Sequence, residues 1–374
     1  MLQQPSLLPL RSQQQPLTPG QQQPGSIPPL AEAPVKDKPV EEWVKIADTV
    51  PPWKPAVLPL EVAKDAPPDG GEECLPSPLC KKRVDPFKFE FGCEEIESML
   101  AHEKKLIGNG NIRDVYLVEW GGRKLVVKAL REDFELRASR RRADKIHRWE
   151  AAALDEVRGH PNIVDMLGLC ESSSVFEFFP GRLDDLVLTD GAKPLPIALV
   201  VSMALDAARG LQALHEAPGG AIIHSDIKPQ QLMLDEYGRV KIDDLSMCRF
   251  PPADVKGKTC PYPARACKSG PFRSPENIAG EPLSEKVDVY SLAMTFYTML
   301  ALEPPYKGEP GARARILAGI PPSVNLSWDR DFVEILGDMW QRDPKARPSA
   351  RRVVERLELL QSRSVVDPEQ QQHR

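Results

Sequence analysis

The sequence contains no run of about 18 consecutive apolar residues, which is the length that a membrane-spanning helix needs. Its first residues, Met1–Leu10, have neither a basic region nor a long apolar stretch, so they lack the pattern of a secretory signal. We therefore expect no membrane span in this chain, and a cytoplasmic protein is the default expectation.

A strong excess of charge of either sign is also absent. The 374 residues include 49 Lys and Arg against 54 Asp and Glu, which gives a formal net charge of −5. Domains that bind the nucleic-acid backbone usually carry a basic excess. The composition therefore gives no reason to expect a nucleic-acid partner.

The seven cysteines form no CxxC pair, so a structural zinc site is not expected. Two interpretations of them remain open. Reduced thiols in a cytosolic protein are the commoner case, whereas disulfides would indicate a domain of the secretory lumen whose membrane anchor is not in this chain. In the second case, Cys260 and Cys267 could close a small loop. Three lie just before the expected domain, three lie between Asp244 and Glu276, and one lies between these groups: Cys74, Cys80 and Cys93, then Cys248, Cys260 and Cys267, with Cys170 between them.

The beginning of the chain is rich in Gln and Pro, and a segment such as Gln3–Gln23 has too few apolar residues to build a core. We expect residues 1–95 to form a disordered tail or stem. A short helical pattern over Glu94–His102 leads into the folded part, and residues 363–374 are expected to be a polar C-terminal tail.

The stretch from Ile222 to Ser246 carries the most informative motifs of the sequence. It predicts two short apolar strands, Gln231–Leu234 and Arg239–Ile242, joined by a turn. Asp226 precedes the first strand and Asp244 follows the second, so a hairpin would bring both carboxylates to one cleft. There, one acid can take a proton from a hydroxyl and the other can hold a divalent metal.

The run from His224 to Gln231, H-S-D-I-K-P-Q-Q, resembles the catalytic loop of eukaryotic protein kinases, H-R-D-L-x-x-x-N. Asp244-Leu245-Ser246 stands where that family has D-F-G. Ser225 replaces the family's Arg, Gln231 replaces its Asn, and Ser246 replaces its Gly. The resemblance implies an α+β, two-lobed protein kinase-like fold over 96–362, with a small β-rich N-lobe (103–180) and a larger helical C-lobe (181–362).

The segment from Gly108 to Val115 is similar to the family's Gly-rich loop, G-x-G-x-x-G-x-V, with Arg113 in the place of the third glycine. Lys128 interrupts an apolar strand and therefore requires a partner. It resembles the strand lysine that contacts the α- and β-phosphates. Within the helix predicted over Glu132–Val157, Glu150 is the best candidate to pair with Lys128, and Glu156 is the alternative.

The resemblance implies an adenine pocket between the lobes, with a hinge near Glu177–Pro180. Phe176 would narrow the back of this pocket, Val115 and Val126 would cover one face of adenine, and Met233 would form its floor. The residues expected to bind ATP are Ile107, Gly108, Asn109, Gly110, Val115, Val126, Lys128, Phe176, Glu177, Phe179 and Met233.

For the chemistry, the resemblance implies that Asp226 accepts the proton of the attacking hydroxyl and Lys228 neutralises the γ-phosphate. A lysine at this place is typical of serine/threonine kinases. Asp244 would bind Mg²⁺ or Mn²⁺, and Gln231 offers a second carbonyl ligand one methylene further out. The expected catalytic residues are thus Asp226, Lys228, Lys128 and Glu150.

Later motifs follow in the order typical of kinases. Arg273-Ser274-Pro275-Glu276 resembles the end of an activation segment that begins near Cys248. Asp288 begins an apolar helix and is expected to cap the catalytic loop. Arg347 is expected to pair with Glu276.

Three functions remain open. The first is ATP-dependent phosphoryl transfer to serine or threonine hydroxyls of a protein substrate. The substitutions at Ser225, Gln231 and Ser246 favour a pseudokinase that binds ATP or a partner without turnover. The clustered cysteines favour a secretory-lumen kinase that acts on a glycan or a lumenal protein. The sequence gives no indication of the oligomeric state.

Overall fold

The computed structural model describes residues 74–110, 112–131, 137–263 and 270–366. The strands are β1 (Lys104–Asn109), β2 (Arg113–Trp120), β3 (Arg123–Leu130), β4 (Met166–Cys170), β5 (Ser173–Glu177), β6 (Gly181–Arg182), β7 (Leu232–Leu234) and β8 (Val240–Ile242). The helices are α1 (Cys93–Ala101), α2 (Arg137–Glu156), α3 (Leu183–Val187), α4 (Ile197–His215), α5 (Pro275–Ala279), α6 (Lys286–Ala301), α7 (Ala312–Leu317), α8 (Arg330–Met339) and α9 (Ala350–Val366).

The N-lobe is a five-stranded antiparallel sheet with the order β1-β2-β3-β5-β4. Gly121 and Gly122 join β2 to β3 with φ of 58° and 77°, a conformation that residues with a Cβ adopt at a cost. Alternate side chains of β3, including Leu125 and Val127, are buried in one cluster with Met99 of α1. This alternation explains why the sheet has one face covered by α1.

The C-lobe is built around two helices that are apolar on almost every side. Thirteen of the residues of α6 are buried, as its composition predicts. Among the described residues, α4 is long and apolar enough to match a membrane span by length and composition. It packs against α9 and β8, however, and a buried core helix passes the same test.

The hairpin that carries Asp226 and Asp244 at its ends packs against α4 of the C-lobe. The predicted strands Gln231–Leu234 and Arg239–Ile242 are confirmed to within one residue as β7 and β8, which pair antiparallel. Strand β6, at the start of the C-lobe, pairs with β7 and completes a three-stranded sheet. Because the hairpin is short, the loops at its two ends emerge side by side.

Packed structure begins before the predicted domain boundary at residue 96. Leu75 forms a bridge with Ala253 in the activation segment, and the side chains of Leu79 and Phe91 are buried. The expectation of a disordered segment up to residue 95 therefore does not describe residues 74–95. Residues 1–73 and 367–374 lie outside the described part of the chain.

Of the two open interpretations of the cysteines, the structure favours disulfides, since two are formed among the described residues. Cys74 is bonded to Cys260, and Cys93 at the start of α1 is bonded to Cys170 at the end of β4. A Cys260–Cys267 loop is thereby excluded, since Cys260 already has its partner; Cys267 itself lies outside the described residues. Both bonds join segments that only the tertiary fold brings together.

Candidate active site

Asp288, at the start of α6, holds the backbone of the catalytic loop. Its carboxylate accepts hydrogen bonds from the backbone N–H of His224 at 2.7 Å and of Ser225 at 2.8 Å. The predicted capping role of Asp288 is thus confirmed. Ser225 has φ of 66°, so these bonds stabilise a strained left-handed backbone immediately before Asp226.

Asp226 is surrounded by donors. Lys228 Nζ lies 2.7 Å and Gln231 Nε2 3.2 Å from Asp226 Oδ2, while Arg273 NH2 lies 2.5 Å from Oδ1. Arg273 also donates to the carbonyl oxygen of Ser225. The arginine that the catalytic loop lacks at position 225 is therefore matched by one from the end of the activation segment, and it bonds directly to the loop.

Asp244 lies beside Asp226, as the hairpin predicts. Gln231 Nε2 is 3.3 Å from Asp244 Oδ2 and also contacts Asp226, so one amide bridges both acids. Burial alone raises the pKa of Asp244, but the charge of Lys128 and a hydrogen bond from the Ser246 side chain outweigh burial and lower the pKa to about 2. Asp244 is consequently ionised at neutral pH.

The residues present fit a hard divalent cation. Asp244 supplies a charged carboxylate, and the amide of Gln231 reaches the space between Asp244 and Asp226. The same amide turned by 180° would present its oxygen, and carboxylate and amide oxygens are the ligands that Mg²⁺ accepts. Among the described residues no group of three or more His, Cys, Asp or Glu has the arrangement of a dedicated metal site.

The predicted pair of Lys128 with Glu150 is wrong. Lys128 Nζ lies 3.1 Å from Asp243 Oδ1, and 4.3 Å from the centre of the Phe176 ring. Burial lowers the pKa of Lys128, but Asp243, Glu150 and Asp244 reverse this effect and leave it above the usual value. Glu150 thus contributes to the electrostatic field at Lys128 without being its ion-pair partner.

Glu150 instead pairs with Arg113, which stands in the place of the third glycine of the Gly-rich loop. The guanidinium is largely buried and also lies 3.4 Å from Ser174 Oγ. Arg113 extends from β2 to one oxygen of Glu150, whereas Lys128 pairs with Asp243. The alternative partner, Glu156, is also excluded, because it pairs with Lys82 at 2.6 Å.

The residues predicted to bind ATP lie along the inner edge of the N-lobe sheet and on β7. In the sheet register, Gly108 stands opposite Val115, Val115 opposite Lys128, and Val126 opposite Phe176. Glu177 is paired with Lys241 at 2.7 Å. Ile107 and Asn109 lie on β1, Gly110 follows β1, Phe179 follows β5, and Met233 lies on β7. Their contacts with ATP stay a prediction.

Three site residues were missed by sequence reasoning: Arg113, Asp243 and Arg273. Each had a visible signal. Arg113 replaces a glycine of the Gly-rich loop. Asp243 is a second acid directly before the D-L-S motif. Arg273 lies at the end of the activation segment, in a chain whose catalytic loop has Ser225 instead of the family's arginine. A charged residue in place of a small or apolar family residue indicates a changed ion pair nearby.

Comparison with known proteins identifies the family of this chain. A model of the protein kinase domain matches residues 101–357, so the chain belongs to the protein kinase family. The N-lobe sheet and helical C-lobe agree with the two-lobed α+β fold of that family.

Individual relatives carry serine/threonine kinase names. The chain is 30% identical over 318 residues to the probable serine/threonine-protein kinase drkC of Dictyostelium discoideum, an alignment that covers 80% of this chain and 40% of the relative. It is 29% identical to drkA of the same organism, covering 70% and 40%. It is 31% identical to serine/threonine-protein kinase 12 of Arabidopsis thaliana, covering 64% and 52%. The chain thus spans about half or less of the length of these relatives.

Proposed function

We propose that this protein transfers the γ-phosphoryl group of ATP to a serine or threonine hydroxyl of a protein substrate. The observation that carries the proposal is the Gln231 amide bridge, which brings Asp226 Oδ2 and Asp244 Oδ2 within 3.2 and 3.3 Å of one nitrogen. Phosphoryl transfer needs positioned charges more than covalent catalysis, and this arrangement supplies them.

Each side chain has a distinct role in that reaction. Asp226 accepts the proton of the acceptor hydroxyl, and Lys228, 2.7 Å away, neutralises charge on the transferred group. Lys128 contacts the nucleotide phosphates, with Asp243 as its counter-ion. Asp244 and Gln231 would hold Mg²⁺, which when bound offsets the negative charge of the phosphates.

The direct test is phosphate transfer from γ-labelled ATP by the purified chain with Mg²⁺, using a basic protein as acceptor. Lys128→Met should lower the rate by about 10²-fold or more, because a preorganised cation at the phosphates is lost. Lys193→Met, an exposed lysine remote from the site, should leave the rate unchanged.

A silent wild-type protein whose melting temperature still rises with ATP would contradict turnover. That result would favour the pseudokinase, for which the substitutions at Ser225, Gln231 and Ser246 are the sequence argument. A wild-type protein that shows neither turnover nor a change of melting temperature with ATP would exclude both the kinase and a pseudokinase that binds ATP.

A second candidate is a kinase of the secretory lumen, acting on a glycan or a lumenal protein. The two disulfides favour it, because such bonds persist mainly in oxidising compartments. They close long loops, with partners 186 and 77 residues apart, and loop entropy is expected to stabilise the fold by about 5 and about 4.5 kcal/mol respectively.

Disulfide mapping checks this compartment. Protein alkylated at harvest from eukaryotic cells should give linked peptides for Cys74–Cys260 and Cys93–Cys170, while Cys80 and Cys248 are alkylated as thiols. Alkylation of all four disulfide cysteines without prior reduction would rule out the lumenal assignment. A comparison of glycan and peptide acceptors in the same assay would then identify the substrate class.

A further inference from the structure

A cleft of about 850 Å³ lies between α2, the end of β4 and the segment Cys80–Pro86. It contains none of the catalytic carboxylates. Its walls combine apolar groups, among them Trp149 and the Cys93–Cys170 disulfide, with cationic side chains. A binding surface of this kind suits a ligand that carries both apolar and anionic groups.

Most of the cations that line the cleft have no acidic partner in the part of the chain that the structure describes. Lys82 is neutralised by Asp155 and Glu156 at 3.0 and 2.6 Å. In contrast, four lining cations have no acidic partner within the described part of the chain: Lys81, Arg83, Lys145 and Arg148. Glu171 is the one acid that lines the cleft among the described residues, and five Lys and Arg side chains line it as well, so the net charge of the lining is positive.

His147 provides an independent indication of a ligand. Its side chain lines the cleft yet is only 4% exposed, and its Nδ1 lies 3.3 Å from Arg113 NH1. A guanidinium can only donate, so Nδ1 accepts and the ring hydrogen is on Nε2. Burial and then Arg113 lower the pKa of His147 to about 3, so the ring is neutral at physiological pH.

His147 Nε2 is therefore a buried donor, and it has no acceptor among the described residues. Leaving such a donor unpaired is unfavourable, so a ligand oxygen that accepts its hydrogen bond would relieve the cost. The surrounding cations select an oxygen that belongs to an anion.

We propose that this cleft is a docking site for an acidic peptide segment, in which a carboxylate oxygen accepts from His147 Nε2 and an apolar side chain packs near Trp149. Charge complementarity favours Asp and Glu side chains, which pair with the four unneutralised cations. The apolar part of the wall favours a peptide over a small inorganic anion.

The site is connected to the active site through one chain of contacts. His147 accepts from Arg113, and Arg113 pairs with Glu150 beside the Lys128–Asp243 pair. A docked carboxylate that accepts from Nε2 fixes the orientation of the His147 ring, which in turn holds Arg113 on Glu150. Docking and nucleotide binding should consequently strengthen each other, a consequence that rests on the proposed function.

The test measures docking directly, without nucleotide, so its result is independent of catalysis. The probe is a fluorescein-labelled peptide of Glu and Asp residues with one central Phe, followed by fluorescence anisotropy. The double variant Lys81→Glu/Arg83→Glu should weaken binding roughly tenfold or more, because both changes are at exposed positions of the cleft and reverse its charge. Lys193→Glu, the matched charge reversal elsewhere, should bind as the wild type does.

A second variant tests the buried donor. His147→Phe should weaken binding several-fold while the cations remain, and circular dichroism would verify that the variant is folded. Equal binding by the wild type and the double variant would overturn the site, as would no binding at all. Displacement of the peptide by inorganic phosphate at comparable concentration would overturn the peptide as occupant in favour of a phosphate site.

Discussion

Asp226→Asn is expected to lower the rate of phosphoryl transfer by about 10²–10⁴-fold, the range that general-base catalysis contributes. The amide has nearly the same shape as the carboxylate but cannot accept a proton at neutral pH. It also turns an NH₂ group toward the donors Lys228, Gln231 and Arg273, which now meet only one acceptor oxygen. The KM for ATP should change little, because Lys128 and Asp244 remain.

Steady-state kinetics with γ-labelled ATP measure this effect. Asp190→Asn is a matched control, because Asp190 is an exposed residue outside the site, and it should leave kcat unchanged. An Asp226→Asn variant that retains more than about a tenth of the wild-type kcat would exclude Asp226 as the base, since a lost base costs far more than this. A large rise in KM for ATP with kcat preserved would instead assign Asp226 to nucleotide binding.

Arg347→Met is expected to lower the free energy of unfolding by about 3–5 kcal/mol, the cost of leaving a buried charge without its partner. Arg347 is completely buried, and its guanidinium forms two parallel bonds to Glu276, at 2.6 and 2.8 Å. It also donates to the backbone carbonyls of Gln341 and Lys286. The predicted Arg347–Glu276 pair is thus confirmed, and it joins the end of the activation segment to the late C-lobe.

Urea unfolding of the variants tests this expectation. The double variant Arg347→Met/Glu276→Gln should be less destabilised than the sum of its two single variants, because no isolated charge remains buried. Arg352→Met, in which an exposed pair with Glu355 is lost, should change the free energy of unfolding by less than about 1 kcal/mol. Losses of the same size at Arg347 and Arg352 would mean that burial of the pair contributes nothing.

Local pattern predicted much of the architecture. Helix α4 follows from the sequence pattern, because a long apolar segment bounded by a proline and a polar loop leaves few alternatives. The hairpin β7–β8 followed from two apolar strands around a turn. The positions of Asp226 and Asp244 at its ends required only that the hairpin form, so their proximity could be predicted as well.

Charge partners could be predicted where the family resemblance carried over to both residues. Arg347 and Glu276 are both buried, and their pairing, which the resemblance implied, was predicted correctly. Lys128 had several acids within reach, and the choice depended on Arg113, whose side chain extends from the neighbouring strand onto Glu150. The spacing of residues along the chain does not show which acid pairs with which cation, because the strength of an ion pair depends on distance and burial in three dimensions.

The sequence by itself determined the family motifs, their order and the hairpin that brings two carboxylates together, because these depend on residues close to one another in the chain. The tertiary structure alone decided the partner of Lys128, the contact of Arg273 with Asp226, and the pairing of Cys74 with Cys260 and of Cys93 with Cys170. In each of these cases the partners are far apart in sequence, and tertiary packing selects among chemically equivalent alternatives.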